Sequence, residues 1–288
     1  MATSPLSADP GLAPPPGLVD DGDSRPSSAR GRRLPAQALA LGLLGAALLV
    51  AVLEIVSRAG LVNERYLPPF STVLVATVRL FGDATFLSDV LSTVLTWGVG
   101  LGLSILVGVP IGILLGLSEV GYRASRTVIE LVRTMPAVAL IPLVILVAGN
   151  GLGMKLIVAV YAAMWPILFN AYYGVHGTDP KAKEMGRSFG LSRVAIVRRI
   201  VIPSAAPFIA TGVRISSSIV LIVIITVELI AGGAEGLGAF IMRQQILGDQ
   251  QTLVYAGILV TGLLGLAINT TLGAVERRLF RWNTTARK

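Results

Sequence analysis

The sequence predicts an all-α membrane protein, a polytopic bundle of about six transmembrane helices. Composition is the first observation: 53% of the 288 residues are hydrophobic and 14% are charged, with a mean hydropathy of +0.76. That balance is too apolar for a soluble globular domain. The second observation is that the apolar residues form windows long enough to cross about 30 Å of hydrocarbon. The continuity of these windows excludes the alternating strands of a membrane barrel.

Six windows give the order of the predicted spans. They cover approximately residues 34–56, 90–117, 128–147, 156–173, 208–230 and 253–273. If the N-terminus is cytoplasmic, 17 Lys and Arg residues fall in inside connections and 5 in outside connections. Cytoplasmic loops carry the excess of basic residues, so both termini are predicted to face the cytoplasm. This bunching beside apolar spans explains the net charge of +8 better than nucleic-acid binding does.

The first 33 residues differ in character from the rest of the chain. Residues 1–33 are rich in Pro, Ala, Ser, Gly and Asp, which predicts a disordered cytoplasmic tail before a membrane domain over residues 34–288. The tail ends in Arg30-Gly31-Arg32-Arg33, so a twin-arginine export signal is one interpretation. The apolar run that follows is longer than the about 7–15 residues of a signal peptide, which favours an uncleaved anchor.

Two stretches predict how helices pack. Gly108, Gly112 and Gly116 recur every four residues on one face of the second span, where small residues allow another backbone to approach closely. The contact could be within the subunit or between two subunits. Residues 64–89 carry apolar side chains at helical spacing, which predicts an amphipathic helix at the outer interface or, equally, one packed on the bundle.

Few residues outside the connections have the chemistry of a site. The chain has no cysteine, which excludes disulfides, thiolate metal sites and a cysteine nucleophile. Its one histidine, His176, cannot make a metal site alone and is expected to be solvated. The serine run at 216–218 is expected to hydrogen-bond across helices.

Ionisable residues within spans are costly and often mark pathways. Glu130 and Arg133 are three apart on one helical face, so we expect a structural ion pair near the cytoplasmic end, with a pathway or gating role as the other interpretation. Glu228 is near the outer end of the fifth span, where it either lines or gates a pathway or is simply exposed at the interface.

The connection over residues 178–203 is predicted to form two short helices. Asp179 can cap the first helix, Pro180 suits its first turn and Gly190 can end it in a left-handed conformation. Ser192 can cap a second helix that Pro203 ends. The pair is too polar to enter lipid. It is therefore either a surface platform for a partner or a basic loop that only fixes topology.

The order of residues in this connection resembles a known motif. Glu184-Met185-Gly186, then three residues, Gly190, nine residues and Ile200-Val201-Ile202-Pro203 is similar to the importer permease motif Glu-Ala-Ala, three residues, Gly, nine residues, Ile-x-Leu-Pro. The spacing is reproduced without a gap. Met185 and Gly186 replace the two alanines, and Ile202 replaces the leucine.

Further segments extend the resemblance to most of the chain from about residue 66. They include Leu67-Pro68-Pro69-Phe70-Ser71, Glu130 to Pro136, Gly212-Val213-Arg214, and Glu228 followed by Gly236-Leu237-Gly238. The chain thereby resembles the sulfonate, taurine and nitrate permeases of binding-protein-dependent ATP-binding cassette importers. The resemblance implies a type I importer permease (MetI-like) fold in the inner membrane. It also implies transport of a small solute, of which an organic or inorganic anion fits best and a vitamin precursor is the alternative.

Partners and roles follow from the resemblance. Two permease copies would form the pathway, each docked to a cytoplasmic ATPase subunit, with an extracytoplasmic binding protein delivering solute. No phosphate-binding Gly-rich loop is present, so ATP and Mg are expected in the partner, and this chain is expected to be neither an enzyme nor a cofactor binder.

The resemblance also assigns roles within the loop. Glu184 would pair with a basic group of the ATPase, and its alternative is a favourable interaction with the helix dipole, worth about 0.3–1 kcal/mol. Met185 and Gly186 occupy the alanine positions, and Gly190 would permit the turn. Ile200, Ile202 and Pro203 would seat the second helix against the bundle.

Two other classes of protein remain as alternatives. An ion-coupled secondary transporter commonly shows two related halves, and the 184–203 pattern has no second copy. A membrane-embedded enzyme or scaffold is the other class. Such an enzyme would cluster Asp, Glu or His at one membrane depth, which the predicted spans lack.

Overall fold

The described part of the chain is helical. The structure, a computed structural model, describes residues 35–231, 235–248 and 250–280, with side chains from residue 40 onward. Residues 1–33, the predicted tail, lie outside this range. The described residues contain no strand. The α-helices are α1 Pro35–Arg58, α2 Phe70–Leu80, α3 Ala84–Leu117, α4 Glu119–Arg133, α5 Ile141–Ala148, α6 Leu152–His176, α7 Pro180–Ser188, α8 Arg193–Ile196, α9 Ile202–Ala231, α10 Leu237–Leu247 and α11 Gln251–Leu279.

The chain divides into two compact units, residues up to Leu49 and residues from Val50 onward. Within the first unit the structure describes residues 35–49, which belong to α1. Its leucines at 41, 43, 44, 48 and 49 are exposed, as expected for a helix that faces lipid. The remaining helices belong to the second unit.

Five described helices are long and apolar enough to cross a membrane, and a sixth crossing is formed if one bent pair is counted. The five are α1, α3, α6, the continuous helical stretch Arg193–Ala231 and α11. This confirms the predicted fold class. The third window, 128–147, was wrong as a single helix, because α4 and the segment Ala137–Ala148 meet at an angle of 79°.

The bend in the third span has a local cause. Pro136, three residues after the end of α4, has an extended backbone and no N–H to continue the helix, so the chain changes direction there. At the break, Val132 O and Met135 O lie 2.5 and 3.3 Å from the Tyr161 hydroxyl, and Val132 O also accepts from the N–H of Met135. A side chain of α6 therefore satisfies backbone groups that lipid could not.

Helices α3, α6 and α9 form the centre of the second unit. Gly108 and Gly112 of α3 lie against α6 so closely that a Cβ at Gly108 would be 3.0 Å from Met164 O, and one at Gly112 would be 2.7 Å from Ala171 Cβ. Gly212 brings α9 against the other side, 2.8 Å from Asn170 Cβ by the same measure. The glycine stripe thus packs within the subunit, which settles the choice that the sequence left open.

A second cluster joins α2, α10 and α11. Val73 and Leu80 of α2 are buried beside Phe240 and Val260. The predicted amphipathic helix exists, but its apolar residues fall on two faces. One face packs on the bundle, while the other, with Leu74, Val78 and Phe81, is exposed.

Candidate functional site

The loop over residues 178–203 begins as the sequence predicts. Asp179 caps α7 by accepting a hydrogen bond from the backbone N–H of Lys181 at 2.9 Å, and Pro180 occupies the first position of the helix. Gly190 has φ +76°, a left-handed conformation that favours glycine. Ser192 then caps α8 through the N–H of Ala195 at 3.3 Å. These contacts confirm a structured pair of helices.

The second helix does not end where we expected. Pro203 lies inside a continuous helical stretch, Arg193–Ala231, and the prediction that Pro203 ends the helix was wrong. The residues before it, Val197–Val201, form a π turn in which the N–H of Ile202 bonds to Val197 O. The wider turn leaves room for the proline ring. It also shifts the backbone hydrogen-bond pattern, so that the helix continues although Pro203 has no N–H to donate. The loop therefore joins the fifth span without a break.

The contacts that seat this second helix also differ from the prediction. Ile196 and Val201 are buried against Val175 and Ala205. Ile200 is half-buried, and a Cβ at Gly186 would come within 2.9 Å of its Cδ1 atom, so Gly186 is the small residue that lets α7 lie on the second helix. Ile202 is 38% exposed and Pro203 is exposed, so neither seats the helix within one subunit.

Three apolar side chains of the loop are exposed. Met185, Phe189 and Val194 have exposed fractions of 61, 80 and 75%. Glu184 is exposed beside them, and its carboxylate makes no hydrogen bond or ion pair with any residue that the structure describes. It lies beyond the first turn of α7, where a helix dipole has little effect. We call the surface of Glu184, Met185, Phe189 and Val194 the loop face.

Glu228 lies at the opposite end of the fifth span, about 40 Å along the helix from Ile202. Its side chain is fully buried, which contradicts simple exposure at the interface. Lys155 Nζ donates to Glu228 Oε1 at 2.9 Å and to the backbone oxygen of Glu235 at 3.0 Å. The hydroxyl of Thr93 is 3.1 Å from Glu228 Oε2. An ion pair out of water persists only when hydrogen bonds satisfy both partners, and these do.

The same buried cluster receives the beginning of α10. The backbone N–H of Gly236 donates to Asp89 Oδ1 at 2.8 Å, that of Leu237 to Thr93 Oγ1 at 2.8 Å, and that of Gly238 to Glu228 Oε2 at 3.0 Å. The first N–H groups of a helix have no partner within it, so side chains of α3 and α9 supply the acceptors. Arg243 of α10 also pairs with Asp89.

Sequence reasoning found only part of this cluster. Lys155 is one of the five basic residues that the sequence assigns to outside connections, and it is buried, while Asp89 and Thr93 were not singled out. The available signal was charge in an apolar context, because Asp89 and Lys155 adjoin predicted spans. Lys155 also lines a cavity of about 590 Å³ with Ser92, Thr96 and Asn150. The cluster thus stands between that cavity and α10.

Other predicted contacts have mixed outcomes. Glu130 pairs with Arg126 at 2.7 Å, four residues earlier on α4, so the predicted pair with Arg133 was wrong. Arg133 instead lies over the ring of Phe169, 5.1 Å from its centroid, in a cation–π contact.

The expectations for the serine run at 216–218 and for His176 agree with the structure in part. Ser216 donates to Ala163 O at 2.6 Å, which confirms a bond across helices, while the side chain of Ser217 is buried without a partner among the described residues. His176 is exposed, as expected for a solvated histidine, and its ring stacks on Tyr172.

Residues 108–281 match a protein family described as "binding-protein-dependent transport system inner membrane component". The taurine transport system permease protein TauC of Escherichia coli (strain K12) is 30% identical over 85% of this chain and 90% of its own length. A protein of the same strain named "Putative aliphatic sulfonates transport permease protein SsuC" is 31% identical over 82% of this chain and 89% of its own length.

A solved structure of the MetNI methionine ABC transporter in an inward-facing conformation is similar in fold. Its TM-score is 0.57 at 19% identity, over 66% of this chain and 94% of that chain. At this identity the likeness concerns the fold alone, and it agrees with the type I importer permease arrangement that the motif predicts.

Proposed function

Because this chain belongs to the family of binding-protein-dependent transport system inner membrane components, we propose that it forms the translocation pathway for a small anion and couples to a separate ATPase through the loop face. The chain is a permease subunit of an ATP-binding cassette importer and a multi-pass protein of the inner membrane. Its resemblance to sulfonate, taurine and nitrate permeases is confirmed. The anion and the ATPase contact are the proposal.

The observation that carries the coupling proposal is the loop face. Three apolar side chains at 185, 189 and 194 are 61 to 80% exposed on a short segment that both caps and a left-handed glycine hold in place. An ordered apolar patch with an unpaired carboxylate beside it is typical of an interaction surface. A loop that only fixed topology would need neither the caps nor the apolar side chains.

The loop is connected rigidly to the distant cluster. The helical stretch Arg193–Ala231 runs 39 residues without a break, from the second helix of the loop to the residues around Glu228. At 1.5 Å per residue it is about 58 Å long. A partner that tilts or shifts the loop therefore moves the far end of α9 as well, so closure of an ATPase pair can change which side of the pathway is open.

The remaining partners and the topology belong to the same proposal. ATP and Mg bind to the ATPase subunits, not to this chain. A second copy of the permease completes the pathway, an extracytoplasmic binding protein delivers the anion, and lipid surrounds the exposed apolar helices. Both termini and the 178–203 loop face the cytoplasm, as the basic residues predict. The fit to aliphatic sulfonates and taurine rests on the relatives.

Docking is tested by the variant Glu184→Ala in the complete importer. We expect about tenfold weaker ATPase association, because a basic group on the partner loses its carboxylate at a buried contact. Co-purification and titration of the ATPase onto the permease in detergent measure it. Glu119→Ala is the matched control, since Glu119 is also an exposed glutamate on the predicted inner side but pairs with Arg123. Wild-type affinity in Glu184→Ala would sink the docking role.

The transport proposal is tested separately by uptake into proteoliposomes that contain permease, ATPase and binding protein. We expect uptake of ethanesulfonate, taurine or nitrate that requires ATP inside and is unaffected when ion gradients collapse. Uptake driven by an ion gradient without the ATPase would instead establish a secondary transporter, the alternative class. Loss of selectivity for anions would overturn the substrate class.

A further inference from the structure

An arginine within the fifth span lies in an unexpected place. Arg214 is 12 residues after Ile202 and 17 before Ala231, so it lies about 18 and 25 Å from the ends of α9. Its side chain is 45% exposed. A guanidinium inside a span is costly in lipid, so water, a ligand, another protein surface or the nearby membrane interface must solvate it.

The contacts of Arg214 leave most of its donors unused. Nε donates to Asn269 Oδ1 at 3.2 Å, and Nη1 is 3.4 Å from Glu276 Oε2, which is a single long contact and not a two-point pair. An arginine side chain has five N–H donors. Structural arginines that serve only to hold a carboxylate usually bond it with two parallel donors.

A second guanidinium lies beside the first. A Cβ at the buried Gly273 would be 3.5 Å from Arg277 Nη1 and 3.6 Å from Arg214 Cζ, so both groups flank one point of α11. Within the described residues Arg277 has no ion pair, and Glu276 is the one carboxylate that reaches Arg214. The local charge is therefore positive.

A cavity between α9 and α11 adjoins Arg214 through Asn269, which lines the cavity and accepts a hydrogen bond from Arg214 Nε; the two arginines are not themselves lining residues. Its volume is about 560 Å³, and its polar lining includes Ser218, Thr261 and Asn269. Ser218 is one helical turn from Arg214 on the same face of α9, and its exposed hydroxyl has no hydrogen bond to the described residues. The end of the cavity near Arg214 thus presents the Ser218 hydroxyl and the Asn269 amide, with the guanidinium hydrogen-bonded to that amide, and most of the other lining residues are apolar.

We propose that Arg214, Asn269 and Ser218 bind a small oxyanion, a sulfonate or nitrate group, at this end of the cavity. The guanidinium supplies a positive charge and directed N–H donors for the oxygens of a planar nitrate or a tetrahedral sulfonate group. The apolar walls accept a short alkyl chain. The assignment of that anion as cargo rests on the proposed function. A lipid headgroup phosphate has the same oxygen chemistry, so the experiment separates the two sources.

The chain contains no cysteine, so one introduced thiol reports on the cavity alone. Ser218→Cys in phosphatidylcholine nanodiscs is treated with two thiosulfonate reagents of similar size, 2-sulfonatoethyl and 2-(trimethylammonium)ethyl methanethiosulfonate. We expect the anionic reagent to react about tenfold faster than the cationic one, because positive charge concentrates anions locally. Equal rates, faster reaction of the cationic reagent or no reaction with either would overturn the site.

Further variants assign the effect to Arg214. Adding Arg214→Gln should abolish the preference for the anionic reagent, and Arg214→Lys should retain part of it. Arg278→Gln is the control, because it also removes one positive charge, but the atoms nearest Gly273 belong to Arg214 and Arg277. The preference for the anionic reagent should therefore stay. If Arg278→Gln lost the preference for the anionic reagent to the same extent, general surface charge and not Arg214 would explain that preference. If Arg214→Gln does not fold, protection of the single cysteine variant by ethanesulfonate remains as the decisive measurement.

Two added ligands separate cargo from lipid. Ethanesulfonate in phosphatidylcholine discs should slow labelling about fivefold, whereas ethyltrimethylammonium should not. If only phosphatidylglycerol discs slow it, the site binds a lipid headgroup and the proposal for cargo fails. These measurements use neither ATP nor partners, so their failure leaves the proposed function intact. Absence of ATP-dependent uptake with intact labelling would instead contradict the proposed function.

Discussion

Glu184 and Glu228 are the same residue type in opposite environments. Glu184 is exposed on the loop face and has no partner among the described residues, whereas Glu228 is fully buried and bonds to Lys155, Thr93 and Gly238. Water solvates the first carboxylate in the free subunit. The second carboxylate is stabilised only by its neighbours.

The difference indicates what each region is for. Residues of the buried cluster depend on one another, so changing one should destabilise the subunit itself. Residues of the loop face depend on nothing within the described chain, so changing one should affect only association with a partner. This contrast can be tested by comparing folding stability with docking for variants of each region.

The largest effect is expected for Glu228→Ala. It leaves the ammonium of Lys155 buried without a carboxylate, which typically costs about 3–5 kcal/mol. Unfolding of the purified subunit in mixed detergent micelles measures the loss. The double variant Lys155→Met, Glu228→Met should recover much of it, because no charge remains unpaired. If Glu228→Ala unfolds at the same detergent fraction as wild type, the two regions do not differ as we describe.

A glycine pair gives the next largest effect. Gly236 and Gly190 both have positive φ, +128° and +76°, but a Cβ at Gly236 would collide with the Glu228 carboxylate while one at Gly190 meets open space. Gly236→Ala should cost about 3 kcal/mol from strain and crowding together. Gly190→Ala should cost about 1 kcal/mol from backbone strain alone. Thermal unfolding followed by circular dichroism ranks the two, and similar shifts would contradict the crowding.

A smaller loss is expected for Thr93→Val, which keeps the shape of a buried side chain. The N–H of Leu237 then loses its acceptor, at a cost of about 1–3 kcal/mol. Hydrogen exchange of the first residues of α10 should quicken in this variant. Thr72→Val is the control, because Thr72 is exposed and its hydroxyl bonds only to Pro69 O. Unchanged exchange at Leu237 would show that Thr93 does not hold α10.

The smallest effect on stability is expected on the loop face. Phe189→Ala removes a ring that is 80% exposed, so the free energy of unfolding should change by less than about 0.5 kcal/mol. ATPase association should nevertheless weaken by about tenfold or more if the ring enters a pocket of the partner. Calorimetric titration of the ATPase onto the permease checks this. Full affinity together with normal folding would remove Phe189 from the interface.

The sequence by itself determined the helical membrane class, five of the six spans and the construction of the loop. Hydrophobic windows report burial in lipid directly, and caps such as Asp179 and Ser192 act within a few residues, so both are local. The continuation of the helix through Pro203 was missed because a π turn before a proline depends on how the helix packs. The bend after Arg133 has a local cause in Pro136, but its hydrogen bond to Tyr161 of another helix depends on packing.

Only the tertiary structure decided which distant groups meet. Asp89, Thr93, Lys155 and Glu228 are spread over 140 positions of the chain, and nothing in their local sequence shows that they share one buried cluster. Arg214 likewise meets Asn269 and Glu276 only because α9 and α11 pack together. Local patterns fix whether a segment is a helix and whether lipid or water surrounds it. Pairing of charges across helices follows from packing, which no single segment encodes.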